Sequence, residues 1–139
     1  MMLADFKYES KKLERGYNNR TLYINLSEMK IASKPVSEKM RNTFTGGRGF
    51  DVWLLWNALP KDRIIKWDDP ENEVCLASGP LGGIPLYPGG GKSIAMSISP
   101  LTGMVVDSNV GGYFGPYLKF AGWDALEVQG KPKSEVAIF

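Results

Sequence analysis

The chain has 139 residues, of which 43% are hydrophobic, and these values fit one globular domain with a single modest core. Its 17 Lys and Arg residues against 15 Asp and Glu residues leave a net charge of +2, with no basic block, which argues against a nucleic-acid partner. The apolar runs are far shorter than the roughly 20 residues that span a bilayer, and the polar amino terminus does not resemble a secretory signal. We therefore expect a cytoplasmic protein with no membrane partner.

Two residue types that support metal and redox chemistry are scarce. The chain contains no histidine, the commonest side-chain general base and transition-metal ligand. Its one cysteine, Cys75, cannot hold an iron–sulfur cluster alone, and its apolar neighbours predict a buried structural thiol. Any metal-dependent chemistry therefore needs groups from outside this chain.

The first half of the chain predicts a strand pair followed by a helix pair. We expect the polar residues 1–20 to lie loosely over the surface, and alternation predicts strands over residues 21–26 and 31–33. Ser37 is expected to cap a helix that runs to about residue 44, and a second helix covers residues 50–59. Bulky residues around the second helix suggest that it packs between layers. The side chains expected in the core are Phe50, Trp53, Leu54, Trp56 and Trp123.

The second half predicts more strands and two glycine-rich loops. Strands are expected over residues 74–77, 93–98, 104–106, 125–128 and 136–139, with one helical turn over residues 116–120. The chain is thus α+β and mainly antiparallel. Because it stops within an apolar strand, we expect the polypeptide to continue.

The first glycine loop, residues 79–91, invites comparison with a nucleotide P-loop. The end of that motif is present as Gly89, Gly90, Gly91, Lys92 and Ser93. The motif also requires a glycine five positions before Gly91, and that position is Leu86. The segment after the lysine also alternates as a strand, so the helix amino terminus that would bind phosphates is missing. The pattern therefore argues against an ATP or GTP site.

Both glycine loops nevertheless suit a bound anion. The consecutive glycines allow close approach of the backbone, and Lys92 adds a positive charge. The second glycine loop, residues 109–115, carries Asn109 beside Gly111 and Gly112. Two interpretations stay open at this point. The loops cradle a phosphate-bearing cofactor, or the glycines only permit tight turns and close strand packing.

A series of motifs in a fixed order favours the first interpretation. The motifs are GGRG at 46–49, DPEN at 69–72, GPL at 79–81, PGGGK at 88–92, SPLTG at 99–103, NVGGYFG at 109–115 and LKFAGWDA at 118–125. This series resembles the amino-terminal domain of the tungsten-containing aldehyde:ferredoxin oxidoreductases over residues 21–139. The last three motifs are the most specific. Residues 1–20 precede the resemblance as a polar amino-terminal segment.

The resemblance implies a β-rich α+β domain of two mainly antiparallel sheets that form a base for a bis-pterin cofactor. Dithiolene sulfurs of the two pterins hold tungsten or molybdenum, so the metal needs no histidine or cysteine from this domain. A magnesium ion links the pterin phosphates, and the family pattern places Asn109 there, with close backbone approach at Gly111. Gly91, Lys92 and Gly112 complete the cofactor-binding set. Lys92 departs from the arginine of several members, and lysine lacks the fork that bonds two partners.

Four other motif residues have alternative roles. Arg48 either reaches a phosphate or pairs with a carboxylate between helix and sheet, and the structural role is favoured. Tyr113 and Phe114 are expected in the core rather than stacked on the cofactor. Lys119 is either a phosphate partner or a solvated residue, and the sequence does not decide between them.

The resemblance also implies the activity of the complete enzyme. That activity is oxidation of an aldehyde to a carboxylic acid with ferredoxin as electron acceptor. A [4Fe-4S] cluster and the catalytic residues lie in later domains or subunits, so we expect no catalytic residue and no activity in this chain alone. A homodimer stays open. Two alternatives are the same domain of an aromatic acyl-CoA reductase subunit and a stand-alone binding module without catalysis.

Overall fold

A computed structural model of the chain describes residues 1–138, which form six strands and three helices. In chain order these are β1 (Arg20–Asn25), β2 (Lys30–Pro35), α1 (Glu38–Thr43), α2 (Arg48–Ala58), β3 (Glu73–Ser78), β4 (Ser93–Ile98), β5 (Val105–Val110), α3 (Phe114–Phe120) and β6 (Ala125–Gln129).

The strands lie in one mixed sheet in the order β2-β1-β6-β3-β4-β5. The β1–β6 pair is parallel, and the other pairs are antiparallel. The α+β class is confirmed. The expected division into two sheets is not present in residues 1–138, because β6 returns beside β1 and joins the amino-terminal hairpin to β3–β5.

The helix pair begins at residues that suit helix starts. The Ser37 side chain accepts a hydrogen bond from the Met40 N–H at 3.1 Å, so the predicted cap of α1 is confirmed. Helix α2 begins at Arg48, two residues earlier than expected, because Gly47 adopts φ +50° just before it. It ends with Leu59 as its cap, just before Pro60. No helix within residues 1–138 is long and apolar enough to cross a membrane.

Helix α2 packs on one face of the sheet and forms the core there. Phe50 meets Met40, Ala77 and Ala125 in one buried cluster. Leu55 meets Cys75 and Met96 in a second cluster. Trp123 is buried as expected, but Trp56 is 66% exposed, so its assignment to the core is wrong. The physical reason is that α2 buries one stripe against a single sheet and leaves its other side open.

The amino-terminal segment is attached to the fold more closely than expected, and the carboxyl-terminal segment is less regular than expected. Residues 1–13 have no helix or strand. Asn18 and Arg20 are buried, so the segment after residue 13 is attached to the fold. Phe6 and Tyr8 also lie against Trp123, with the Tyr8 and Trp123 ring centroids 4.7 Å apart. The strand expected at 136–139 is wrong for residues 136–138, which are irregular, and Phe139 lies outside the described residues.

Candidate cofactor-binding site

The register of β4 and β5 brings the two glycine loops together. Ser93 at the start of β4 pairs with Val110 at the end of β5, and Ile94 pairs with Asn109. The first glycine loop therefore enters the sheet at the point where the second leaves it. Asn109 itself lies in β5, not in a loop, because β5 extends four residues beyond the predicted strand.

Gly91 and Gly112 are the point of closest approach between the loops. A β-carbon on Gly91 would lie 2.8 Å from the Gly112 carbonyl oxygen, which is closer than packing allows. Gly112 has φ +99°, a conformation that residues with side chains rarely adopt. Glycine is thus required at both positions, and the two backbones form a surface without side chains.

Lys92 extends its charge across the second loop. Its ammonium nitrogen lies 3.4 Å from the position that a β-carbon on Gly111 would occupy. Lys92, Asn109, Gly111 and Gly112 are all exposed, whereas the adjoining Ser93 is buried. The structure therefore brings together the five predicted site residues Gly91, Lys92, Asn109, Gly111 and Gly112, and their binding role stays a prediction.

Short hydrogen-bonded turns and one close contact hold the two glycine loops in place. The Gly83 N–H donates to the Gly90 carbonyl at 2.8 Å, and the Lys92 N–H donates to the Gly89 carbonyl at 3.1 Å. Buried Gly115 at the start of α3 lies against Ser93, since an added β-carbon would come within 3.2 Å of the serine side chain. These contacts fix the loop ends relative to β4.

Arg48 pairs with a carboxylate of the sheet. It donates from Nε and Nη2 to Asp107 Oδ2 at 2.9 and 2.7 Å. The favoured structural role of Arg48 between helix and sheet is therefore confirmed. No pattern within residues 105–110 identifies Asp107 as the partner of Arg48, because the position of Asp107 depends on the pairing of β5 with β4.

Lys119 has neither of its two expected roles, because it is a buried structural residue. Its ammonium group donates to Asp124 Oδ1 at 2.7 Å and to the Gly16 carbonyl at 2.6 Å. Both side chains of the pair are almost completely buried. The amphipathic motif around Lys119 gave no sign that Asp124, one turn further on, would be its partner.

The expected core positions of Tyr113 and Phe114 are also wrong. Tyr113 is 78% exposed and Phe114 is partly exposed. Tyr113, Tyr117 and Phe120 follow helical spacing on α3, and their neighbouring ring centroids lie 6.1 and 6.2 Å apart. They form an aromatic surface next to the second glycine loop.

Two carboxyl groups are buried, Asp51 in α2 and Glu73 in β3. Burial raises the pKa of Asp51 to about 8, and the nearby negative charge of Asp107 adds to the effect. Neither carboxyl oxygen of Asp51 has a hydrogen-bond partner. Burial and the charge of Glu127 likewise raise the pKa of Glu73 to about 7. The thiol of Cys75 donates to Glu73 at 3.1 Å, and its burial confirms the predicted structural role.

The exposed loop surface has the chemistry expected for a phosphate-bearing ligand. Its glycine backbones admit a close neighbour, Lys92 supplies a cation and Asn109 supplies an oxygen that suits magnesium. Within residues 1–138 no group of three His, Cys, Asp or Glu side chains is placed to hold a metal ion. The residues present therefore fit a cofactor that brings its own metal ligands.

Comparison with known proteins identifies relatives over most of the chain. The model of the aldehyde ferredoxin oxidoreductase N-terminal domain matches residues 21–139. The tungsten-containing aldehyde ferredoxin oxidoreductase of Pyrococcus horikoshii is 40% identical over 124 residues, which cover 89% of this chain and 20% of the relative. The WOR-like subunit of an aliphatic sulfonate oxidoreductase of Pyrococcus furiosus is 38% identical over 129 residues, with the same shares covered.

A solved structure has the same fold. It is the active-site complex BamBC of benzoyl coenzyme A reductase with 1,5-dienoyl-CoA, which superposes with a TM-score of 0.78 at 28% identity. The match covers 86% of this chain and 18% of that one. The chain thus spans about a fifth of the length of the curated relatives. With the family model matched from residue 21 onward, the chain belongs to the aldehyde ferredoxin oxidoreductase family and carries its N-terminal domain.

Proposed function

We propose that this chain forms part of the binding site for a tungsten or molybdenum bis-pterin cofactor. The observation that carries the proposal is the contact between the glycine loops, where Gly91 meets Gly112 and Lys92 reaches over Gly111. Glycines that only made separate turns would not need to meet, and close packing of the two loops alone would not need the cation that Lys92 holds over Gly111. The names of the matched relatives support tungsten as the metal.

Each of the five site residues has a specific task in this proposal. Gly91, Gly111 and Gly112 allow the cofactor to lie directly on the backbone, where exposed N–H groups favour an anion. Lys92 balances phosphate charge as a point cation. The side-chain oxygen of Asn109 would bind a magnesium ion that accompanies the phosphates. When bound, the cofactor supplies the two-electron redox chemistry.

These residues bind and orient, and none of them moves a proton to or from a substrate. Lys92 holds its charge beside the glycines, where it attracts the phosphates and fixes the end of the cofactor against β4 and β5. The substrate pocket and its acid–base groups are contributed by parts of the protein beyond these residues. We therefore propose that the chain alone does not oxidise an aldehyde.

For the complete protein we propose oxidation of an aldehyde to its carboxylic acid. Water supplies the oxygen atom, and ferredoxin accepts the electrons through a [4Fe-4S] cluster held by other domains or subunits. A cytoplasmic location follows from that electron acceptor. A homodimer is compatible with this arrangement.

A second candidate is the same domain in an aromatic acyl-CoA reductase. The fold shared with the benzoyl coenzyme A reductase complex supports this candidate, while the more similar tungsten-containing relatives support the first one. Because the described site contains only cofactor-facing residues, it serves either substrate equally well. Assaying the complete gene product with an aldehyde and with an aromatic acyl-CoA separates the two candidates.

The cofactor proposal is tested by metal and pterin analysis of the complete gene product, purified from its native host without oxygen. We expect tungsten or molybdenum, magnesium and two pterins per chain. Asn109→Leu removes the proposed magnesium ligand and should lower the pterin content, whereas Asn42→Leu makes the same change on exposed α1 and should not. A wild-type protein without pterin would refute the proposal and favour a stand-alone binding module.

A further inference from the structure

The ion pair between Arg48 and Asp107 lies two residues from Asn109. Residues i and i+2 of a strand point to the same face, so Asp107 and Asn109 share the face of β5 that lies toward α2. The register supports this placement, because Asp107 is opposite Met96, which packs against Leu55 of α2. The pair therefore joins α2 to the strand that carries Asn109, the proposed magnesium ligand.

Strand β5 needs such a link because it is the edge of the sheet. It pairs with β4 on one side only. Edge strands have fewer constraints than central ones, and their ends move most easily. In the part of the chain that the structure describes, side-chain hydrogen bonds join β5 to a helix only between Asp107 and Arg48.

The helix end that carries Arg48 is itself fixed. The Gly47 N–H donates to the Ser78 carbonyl at the end of β3 at 3.2 Å. Gly46 also lies so close to that strand end that an added β-carbon would come within 3.0 Å of Ser78 and Gly79. Because the start of α2 is fixed to β3, Arg48 can hold the edge strand β5 at a defined position relative to β3.

The location of Arg48 is unfavourable without its partner. It is the first residue of α2, where the helix dipole repels a positive charge. Its side chain is 61% exposed, so packing does not explain its presence there. The fork of two N–H groups on one carboxylate oxygen of Asp107 does explain it.

We propose that Arg48 is a positioning residue for the cofactor site. Through Asp107 it holds β5, and hence Asn109, at a fixed distance from the first glycine loop. The inference rests on the proposed function, since Asn109 must bind the cofactor for its position to matter. The competing interpretation is that Arg48 leaves Asp107 and binds a phosphate directly.

Variants of both partners in the complete gene product separate these interpretations. Arg48→Leu and Asp107→Asn should each accelerate hydrogen exchange of β5 amides and lower the pterin content per chain by about two- to fivefold, the range expected for an exposed ion pair. The charge-reversed double variant, Arg48→Asp with Asp107→Arg, should restore much of both. Arg48→Lys keeps the charge but loses the fork and should fall in between.

The control is Arg63→Leu, which removes another exposed arginine whose ion pairs are made with Asp69 and Glu71 and not with a residue of β5. It should leave both readouts unchanged. Retained pterin in Asp107→Asn together with loss in Arg48→Leu would overturn the inference, because that pattern indicates direct phosphate contact. Unchanged pterin in both single variants would also overturn it. A wild-type protein without pterin would instead refute the proposed function.

Discussion

The ammonium group of Lys119 lies 2.7 Å from Asp124 Oδ1 in the interior of the domain. Asp124 also accepts hydrogen bonds from the backbone N–H groups of Asn18 and Asn19 at 3.0 and 2.7 Å. The pair therefore joins α3 to the segment that leads into β1. Since β1 lies beside β6, this one contact ties together both ends of the folded domain.

We predict that Lys119→Met destabilises the domain by about 3–5 kcal/mol, because it leaves Asp124 as a buried charge without its cation. Urea denaturation at neutral pH measures the loss in the free energy of unfolding. Lys30→Met removes an exposed lysine and should change that free energy by less than about 0.5 kcal/mol. A loss below about 1 kcal/mol for Lys119→Met would contradict the structural role.

Alanine substitutions in the glycine loops should have unequal effects. Gly91→Ala forces the new methyl group against the Gly112 carbonyl, so the loops must separate, and we expect clear loss of pterin from the complete protein. Gly111→Ala meets only the flexible end of Lys92 at 3.4 Å, so the fold should tolerate it, but its methyl group covers backbone on which the cofactor is proposed to lie and should also lower the pterin content. Gly79→Ala is the control, since its methyl group meets nothing within 4 Å. Equal pterin contents in all three variants would argue against a shared loop surface.

The buried Asp51 should make stability fall as pH rises. Burial raises its pKa to about 8 in the folded state from the ordinary aspartate value of 3.8, so between these values the folded state holds a proton that the unfolded state has lost. The stabilisation is complete below pH 4 and is lost as pH rises toward 8. Glu73 acts in the same direction up to about pH 7.

Asp51→Asn should therefore remove part of this pH dependence. Between pH 5 and pH 8.5, we expect the free energy of unfolding of Asp51→Asn to rise relative to that of the wild type by an amount on the order of a few kcal/mol. Urea midpoints at the two pH values measure the difference, and Asp62→Asn provides an exposed control. Parallel wild-type and Asp51→Asn curves would show that Asp51 is ionised in the folded protein.

The two tryptophans with opposite burial give a further test. Trp123→Ala should cost about 3–5 kcal/mol, because the ring is fully buried and Arg20 lies 4.3 Å from its centroid. Trp56→Ala should cost less than about 1 kcal/mol, since the ring is exposed and meets mainly Lys61. Thermal unfolding of both variants checks the order, and similar losses would contradict the packing of α2.

Local patterns predicted most of the regular elements. Alternation at residues 93–98 and the cap at Ser37 depend on neighbouring residues alone, and both are confirmed. The position of Asn109 depends on something else. Its short strand extends to Val110 because β4 offers partners along that whole length, and no periodicity within the segment itself announces this.

Burial was less predictable than secondary structure. Trp56, Tyr113 and Phe114 are large and apolar, which favours the core, but one sheet and three helices cannot cover all such side chains. Lys119 is the reverse case, a charged residue that is buried because Asp124 lies five positions later in the folded motif. Partners of this kind depend on the tertiary structure, so the motif alone left its role open.

The buried thiol of Cys75, which donates to Glu73, can be used to measure unfolding of the domain by its reaction with thiol reagents. The thiol is fully buried, and burial together with the neighbouring Glu73 raises its pKa, so the folded state should not react with alkylating reagents. As the chain has one cysteine, each labelled molecule records one opening event that exposes the centre of the sheet. The labelling rate thus reports how often the packing of α2 and β3 around Cys75 opens.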